Sequence, residues 1–284
     1  CANGLQELGY IIEARDTPVP GSEIRGDFLR ERIVKNGCCG EKELIKFEAW
    51  TLTDYRVVVL LDLDVLILKP LDHLFDFILD STMLPDRDAI LWRNSTQIPD
   101  QIDILYTTDY AMVGPKRKVK PTQGGFVVLR HNRTVYQNLR DIIRIGDFRD
   151  NGGWGGKGGK FWGAMTFQGL MPYYFQLLHP GRSVELNWCN INNMCSPSRD
   201  KGIENDRPVG DCFTEIPNCE DCRHRDIANV SLTHFTVCQK PWTCQRWLSN
   251  TLADRLCRQF HHAWFKARSE LETSWGRSGW GPGN

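Results

Sequence analysis

The stretch Arg56-Val57-Val58-Val59-Leu60-Leu61-Asp62-Leu63-Asp64 decides the architecture of this 284-residue chain. Its apolar run predicts a strand at 56–61 that is buried on both faces of a sheet. The two carboxylates follow where the strand ends, at the edge where open α/β sheets form a ligand crevice. Residues two apart on an extended backbone share a face, so Asp62 and Asp64 are expected to project together.

An Asp-x-Asp pair alone is more often a solvated strand end than a ligand site, because the pattern is so short. Here apolar residues flank it on both sides, with Val65-Leu66-Ile67-Leu68 following. Buried carboxylates persist mainly when they are paired or bound to metal. Hard cations such as Mn²⁺ or Mg²⁺ prefer oxygen ligands and leave positions for phosphate. The sequence therefore predicts a divalent metal at this pair, with a diphosphate bound through it.

Predicted strands and helices alternate along the chain, which indicates an α/β sheet flanked by helices. Further strands are predicted at 89–92, 124–130 and 230–235, and helices at 43–52, 71–79, 132–145 and 165–178. A C-terminal helix is predicted from Leu248, Leu252, Leu256 and Phe260, which recur at four-residue steps. Residues 5–19 are predicted to form the end of a helix and a short strand. Residues 94–120 have weak periodicity and are predicted to form a long excursion, that is, a connection without regular secondary structure.

The amino-acid composition limits which binding partners and which cellular compartment the protein is expected to have. The 35 basic residues balance 35 acidic ones, so no broad field favours nucleic acid or an anionic membrane. Eight of the 11 cysteines lie between Cys189 and Cys257, which favours the oxidising secretory pathway, such as the Golgi lumen, over the cytoplasmic alternative. The sequons at Asn94, Asn132 and Asn229 only permit that location. No apolar run approaches a membrane span.

Four separated segments carry a family resemblance. They are Lys46-Phe47-Glu48-Ala49-Trp50, Leu60–Asp64 with Lys69–Asp76, Gln123-Gly124-Gly125-Phe126, and His234-Phe235 followed after four residues by Lys240-Pro241-Trp242. In these segments the chain resembles glycosyltransferase family 8, the group of retaining GT-A-fold enzymes that contains glycogenin. The resemblance reaches from Lys46 to Trp242.

The resemblance implies roles for particular residues. Asp62, Asp64 and His234 would ligate Mn²⁺ (or Mg²⁺), and Lys240 would approach the diphosphate as a positive charge that assists the leaving group. Gln168, within Gln168-Gly169-Leu170, matches the glutamine that faces the anomeric carbon. The remaining donor contacts would come from Lys46, Leu63, Gln123, Gly124 and Gly125.

Two positions depart from the family pattern. Phe167 stands where the family has Asp before its Gln-Gly, and Gln123 stands where it has Asn. Both departures fall on the part of the site that contacts the sugar. Gln168 is equally compatible with a donor contact and with a polar residue that caps helix packing.

The fold implied is α/β: a GT-A, Rossmann-like mixed sheet flanked by helices, with a cysteine-rich C-terminal segment. The catalytic domain would occupy 1–188, the cysteine-rich insertion 189–226, and the end of the catalytic domain with its helix 227–284. The first nucleotide-binding strands are expected to precede Cys1. The implied reaction moves a hexosyl group from a UDP-sugar to a carbohydrate, glycoprotein or glycolipid acceptor. A catalytically inactive protein that binds nucleotide sugar, or serves as a scaffold, is the alternative.

Two further motifs allow more than one interpretation. Cys219-Glu220-Asp221-Cys222 with His224 and Cys212 could hold zinc, but only one Cys-x-x-Cys pair is present, so disulfides that fasten an irregular segment are favoured. The glycine-rich stretch 151–163 lacks the spacing of a phosphate-binding loop. It is either a lid with Trp154 and Trp162 as sugar-stacking surfaces or an ordered cluster of turns.

Overall fold

The computed structural model describes residues 2–84, 86–92, 98–112, 114, 118–201, 203–204, 207–215, 219–243 and 251–276. The strands are β1 (Val58–Leu61), β2 (Val65–Ile67), β3 (Ile104–Thr108), β4 (Thr122–Leu129), β5 (Phe148–Arg149), β6 (Gly153–Trp154), β7 (Ser183–Glu185), β8 (Ile191–Asn193), β9 (Ile203–Glu204), β10 (Arg207–Pro208) and β11 (Leu232–His234). The α-helices are α1 (Ala2–Glu7), α2 (Asp27–Arg32), α3 (Asp72–Leu79), α4 (Arg87–Ile90), α5 (Arg133–Ile145), α6 (Phe167–Pro172) and α7 (Leu252–Ser274). A 3₁₀ helix spans Gly40–Thr51, and a π-helical turn at Tyr173–Leu178 continues α6.

Two sheets organise the molecule. The larger has the order β1-β4-β3-β7, in which β4 is antiparallel to both neighbours and β3 is parallel to β7. The smaller has the order β2-β11-β8, with β11 antiparallel to β2 and parallel to β8. Mixed sheets with helices packed on them confirm the predicted α/β class.

Strand β4 separates the core into two layers because its side chains alternate in direction. Val127 and Leu129 pack with Phe47, Trp50 and Leu139 on one face. The other face carries a second apolar cluster, in which Phe126 and Val128 contact Leu74, Phe77 and Leu105. The 3₁₀ helix and α5 therefore cover one side of the sheet, and α3 covers the other.

The prediction that strand 56–61 is buried on both faces is wrong. Strand β1 begins at Val58, lies at the edge of its sheet among the described residues, and is only half-buried, with Leu61 exposed. An apolar run indicates that a strand prefers to be buried, but it does not indicate whether the strand lies at the centre or at the edge of its sheet.

Three other sequence predictions need correction. The excursion predicted at 94–120 contains β3, a fully buried central strand, in its described part. The strand predicted at 89–92 is the short helix α4 followed by a single bridge from Leu91 to Leu186. Residues 8–19 form no strand; α1 alone precedes them.

Helix α5 confirms its predicted bounds through the chemistry of its ends. The Asn132 side chain accepts hydrogen bonds from the backbone N–H of Thr134 (2.9 Å) and of Val135 (3.2 Å). Gly146 ends the helix at φ 69°, a left-handed conformation that suits glycine. Helix α3 at Asp72–Leu79 likewise matches its prediction. In α7, Leu256 and Phe260 are buried as expected. Leu248, predicted to belong to this helix, and the separate glycosylation sequon at Asn94 lie outside the described residues.

The cysteine-rich segment is fastened by disulfides, as favoured. Cys189 pairs with Cys222, Cys212 with Cys219, and Cys238 with Cys257. The zinc interpretation is wrong because both cysteines of its Cys-x-x-Cys pair are consumed in disulfides with other partners. The segment also supplies β8 to the smaller sheet. Within the described part of the chain, no helix has the length and apolar content that a membrane crossing requires.

Candidate metal and donor site

Asp62-Leu63-Asp64 forms the turn that joins the two sheets. Strand β1 ends at Leu61 and β2 begins at Val65, so the expected continuous extended backbone is replaced by a turn. The turn is held at both ends, because the Asp62 N–H donates to the Gly125 carbonyl (3.0 Å) and the Phe235 N–H donates to the Asp64 carbonyl (2.9 Å). The Leu63 side chain between the two carboxylates is 100% exposed, and its predicted contact with the donor stays a prediction.

Pairing of β11 with β2 brings His234 to the two carboxylates. The register places His234 opposite Val65, the residue after Asp64. The His234 Nε2 atom lies 3.2 Å from Asp64 Oδ1. One ligand atom each from Asp62, Asp64 and His234 falls within 4.8 Å of the others. The fold therefore assembles the three residues that the resemblance implied as metal ligands.

Two lysines complete the charge balance of this cluster. Lys46, from the 3₁₀ helix, places its Nζ 2.8 Å from Asp62 Oδ1 and donates to the Gly124 carbonyl at 3.0 Å. Lys240 forms an ion pair with Asp64 and donates to the Phe235 carbonyl. Asp62 and Asp64 thus each have an ammonium partner of their own.

Electrostatics keep Asp64 ionised. Burial opposes its charge, but hydrogen bonds from His234 and Lys240 outweigh burial and hold the pKa of the Asp64 carboxyl far below its usual range. The ionised carboxylate is the form that binds a cation.

The start of β4 makes room for the cluster through two glycines. A Cβ on Gly125 would lie 2.5 Å from His234 Nδ1 and closer still to the ring carbon between the two nitrogens. A Cβ on Gly124 would approach Lys46 Nζ at 3.2 Å and Phe167 at 3.3 Å. Position 125 therefore requires glycine for steric reasons, whereas a side chain at position 124 would be tight against Lys46 and Phe167.

A buried amide network holds Gln123 beside these glycines. Its Oε1 accepts from the Gly125 N–H (2.5 Å) and from Asn192 Nδ2 (3.3 Å), and Asn192 also donates to Thr107 Oγ1 at 2.8 Å. Asn192 adopts φ 72° to reach this position. In this conformation the Gln123 amide oxygen faces the network.

Sequence reasoning missed Asn192, Thr107 and Asp109. Four asparagines among residues 187–193 were a usable signal, since buried amides at that density imply a hydrogen-bonded network. No sequence pattern around Asp109 predicts a role in the site. It is buried close enough to His234 to interact with it electrostatically, and burial raises the pKa of its carboxyl to about 6.

Gln168 and Phe167 both border the cluster, in different ways. The Gln168 side chain is nearly buried, with its Cγ beside Gly124 and its Oε1 against Gly163. Phe167 is fully buried against Phe47, with ring centroids 5.0 Å apart. The position that carries a carboxylate in the family is therefore part of the apolar core here.

The donor set fits a hard divalent cation. Two carboxylates and an imidazole suit Mn²⁺ and leave positions for phosphate oxygens. The His234 side chain is only 4% exposed. Its Nδ1 is buried without a hydrogen-bond partner among the described residues, so the polar atom available to a ligand is Nε2, which faces the carboxylates.

The glycine-rich stretch is an ordered cluster of turns, and its two tryptophans differ. Trp154 is buried and donates from Nε1 to the Ala164 carbonyl (2.9 Å), so it offers no stacking surface. Trp162 is 55% exposed next to Gly163, which contacts Gln168. Sugar stacking is therefore wrong for Trp154 and stays a prediction for Trp162.

Comparisons with known proteins leave the family open. No protein-family model matches the chain, and no curated protein matches it. A solved structure that does match is mouse xyloside xylosyltransferase 1 in its apo form, with 16% sequence identity and a TM-score of 0.43. The match covers 75% of this chain and 71% of the mouse chain. Membership of glycosyltransferase family 8 stays a prediction.

Proposed function

We propose that the protein is a metal-dependent, retaining glycosyltransferase that moves a hexosyl group from a UDP-sugar to an acceptor. The observation that carries this proposal is the convergence of Asp62, Asp64 and His234 within 4.8 Å, flanked by Lys46 and Lys240. Asp64 and Lys240, which pair there, are 176 positions apart in the sequence, and a solvated acidic turn would need no such assembly.

The charge count of the cluster suits a diphosphate. Asp62 and Asp64 contribute −2 and the two lysines contribute +2, while Glu43, 4.0 Å from Lys46, adds a further −1. A divalent cation would raise this formal sum from −1 to +1, which attracts the negative charge of a nucleoside diphosphate.

Each residue then has a defined part. Asp62, Asp64 and His234 would hold Mn²⁺ or Mg²⁺, which supplies Lewis-acid stabilisation to the departing diphosphate. Lys240 is the more exposed of the two lysines and would turn from Asp64 towards a phosphate oxygen. Lys46 would remain on the opposite wall. Gln168, beside Gly124, would face the sugar; the retaining outcome rests on the family resemblance alone.

Hydrolysis of UDP-sugars by the full chain with Mn²⁺ tests the proposal without knowledge of the acceptor. Asp64→Ala should lower turnover at least about 100-fold, because it removes a metal ligand and the partner of Lys240. Asp54→Ala removes an exposed carboxylate outside the cluster and should leave turnover unchanged. Equal turnover in the Asp64 variant and the unmodified chain would refute the metal assignment.

A second candidate function is a nucleotide-sugar-binding protein without turnover. The buried Phe167 favours it, because no carboxylate stands at that position to contact the sugar. Measuring UDP binding and UDP-sugar hydrolysis on the same protein distinguishes the two candidate functions. Metal-dependent UDP binding without hydrolysis of UDP-glucose, UDP-galactose or UDP-xylose would favour binding alone.

A further inference from the structure

Two adjacent thiols lie on the surface at the beginning of the helix that carries Lys46. The Sγ atoms of Cys38 and Cys39 are 3.0 Å apart, and both side chains are exposed. The other free cysteine among the described residues, Cys195, is buried. Cys39 directly precedes the 3₁₀ helix Gly40–Thr51.

The local backbone is held in place on both sides of the pair. Gly37 and Gly40 have φ of 68° and 59°, conformations that favour glycine. A Cβ on Gly37 would lie 3.3 Å from the Cα of Gly163, and a Cβ on Gly40 would collide with the Val34 backbone. The two sulfurs are thus presented together by a tightly packed turn.

We propose that Cys38 and Cys39 form a vicinal dithiol site that binds thiophilic ligands such as trivalent arsenicals when reduced, and closes to a disulfide when oxidised by a low-molecular-weight disulfide. Paired thiolates are soft ligands, and two sulfurs at this spacing can bridge one soft centre. This proposal does not rest on the proposed transferase function.

The oxidation balances with oxidised glutathione as the reagent. The Cys39 thiolate attacks one glutathione sulfur, which forms a mixed disulfide and expels one glutathione thiolate. The Cys38 thiol then loses its proton to solvent and attacks Cys39 Sγ, which expels the second glutathione thiolate. Two protein thiols are oxidised by two electrons, and one disulfide is reduced to two glutathione molecules.

The order of attack follows from the surroundings of Cys38. Although the Cys38 side chain is exposed overall, partial desolvation of its sulfur, the hydrogen bond with Cys39 and the charge of Glu43 raise the pKa of the Cys38 thiol to about 12. Cys38 is therefore the poorer initial nucleophile, and closure of the ring makes its second attack intramolecular.

The resulting disulfide would be easily reduced. Adjacent Cα atoms are about 3.8 Å apart across a trans peptide, below the roughly 4.4–6.8 Å usual for disulfides. Strained, exposed disulfides have more oxidising potentials than structural ones. The pair therefore suits a reversible switch, in contrast to the three disulfides of the C-terminal half.

Three contacts connect this pair to the candidate metal cluster. Cys38 Sγ lies 3.5 Å from Glu43 Oε1, Glu43 Oε1 lies 4.0 Å from Lys46 Nζ, and Lys46 lies 2.8 Å from Asp62. Closure of the disulfide removes the thiol hydrogen that Glu43 accepts.

Binding of phenylarsine oxide to the folded, full chain tests the reduced state. Intact mass should show one bound arsenical, released by ethanedithiol and abolished by Cys38→Ser or Cys39→Ser. Cys195→Ser is the matched control and should bind as the unmodified chain does. Undiminished binding in either of the two Ser variants would overturn the dithiol assignment.

Peptide mapping after exposure to oxidised glutathione tests the oxidised state. The peptide with Cys38 and Cys39 should escape alkylation and weigh two hydrogens less, and mild dithiothreitol should restore it while the three other disulfides persist. Stable glutathione adducts on both cysteines, or alkylation of both after oxidation, would contradict ring closure.

Discussion

At the scale of single residues, Gly125 controls the position of the imidazole. His234 fits against the β4 backbone only because position 125 has no side chain. Gly125→Ala should displace the His234 ring and weaken Mn²⁺ binding at least about tenfold, with about 1–3 kcal/mol lost from the free energy of unfolding. Titration calorimetry with Mn²⁺ and urea denaturation measure the two effects.

The matched control for this substitution is Gly4→Ala. A Cβ at Gly4 would meet no atom within 4 Å, so Mn²⁺ affinity should not change, and the free energy of unfolding should not fall because alanine favours the helix α1 in which Gly4 lies. Undiminished Mn²⁺ affinity in a folded Gly125→Ala protein would show that the position of His234 does not matter for the metal.

Asp109 gives a pH-dependent prediction with a defined sign. Its folded pKa is raised from 3.8 to about 6, so the fold penalises the ionised form. The penalty is absent below about pH 4, grows as pH rises through the folded pKa, and is complete above it. Asp109→Asn should therefore stabilise the metal-free protein at pH 8, by up to about 3 kcal/mol, and confer no gain at pH 4.

Thermal melts of the Asp109→Asn protein across this pH range check the prediction. Asp54→Asn, which removes an exposed carboxylate, is the control and should show no such trend. A variant that is less stable than the unmodified chain at pH 8 would mean that the ionised Asp109 supports the fold, through His234.

At the scale of elements, α5 depends on its first residue. The Asn132 side chain satisfies two backbone N–H groups that the helix leaves without internal partners. Asn132→Ala should cost about 1 kcal/mol of unfolding free energy. Gln137→Ala, on the exposed face of the same helix, should cost only a few tenths of that, since it removes one exposed side-chain hydrogen bond. Chemical denaturation distinguishes them, and equal losses would contradict the capping role.

Local chemistry explains which elements the sequence predicts well. Strand β4 and helix α5 carry their own signals, a dense apolar run and a capped amphipathic pattern, and both match their predictions closely. Strand β3 carries Tyr106, Thr107 and Thr108 beside short apolar stretches, so its burial is decided by neighbouring strands instead. Strand β1 shows the same limit, because an edge position is a property of the whole sheet.

The residues of the candidate site likewise separate into those that local sequence predicts and those whose roles depend on contacts in the folded chain. The Asp62–Asp64 pair is visible as a local pattern, and the resemblance added Lys46, His234 and Lys240 at long range. Asn192 and Asp109 were not predictable individually, because their roles arise from contacts with Gln123 and His234 that only the folded chain creates.

At the scale of the whole molecule, the disulfides fasten the C-terminal half to the sheet that carries His234. The Cys189–Cys222 bridge closes a separation of 33 residues around β8, and Cys212–Cys219 closes one of 7. Chain-entropy estimates are roughly 4 and roughly 2 kcal/mol. Replacing Cys189 and Cys222 together with Ala should therefore lower the urea midpoint more than replacing Cys212 and Cys219. The reverse order would contradict this account.

The central claim is that Asp62, Asp64 and His234 hold one divalent cation, and Mn²⁺ binding tests it most directly. Electron paramagnetic resonance of the full chain should show free Mn²⁺ depleted by one ion per molecule. Asp64→Ala and His234→Ala should lose that binding, while Asp54→Ala should retain it. One tightly bound Mn²⁺ in both of the first two variants would contradict the claim, because the ion would then lie elsewhere.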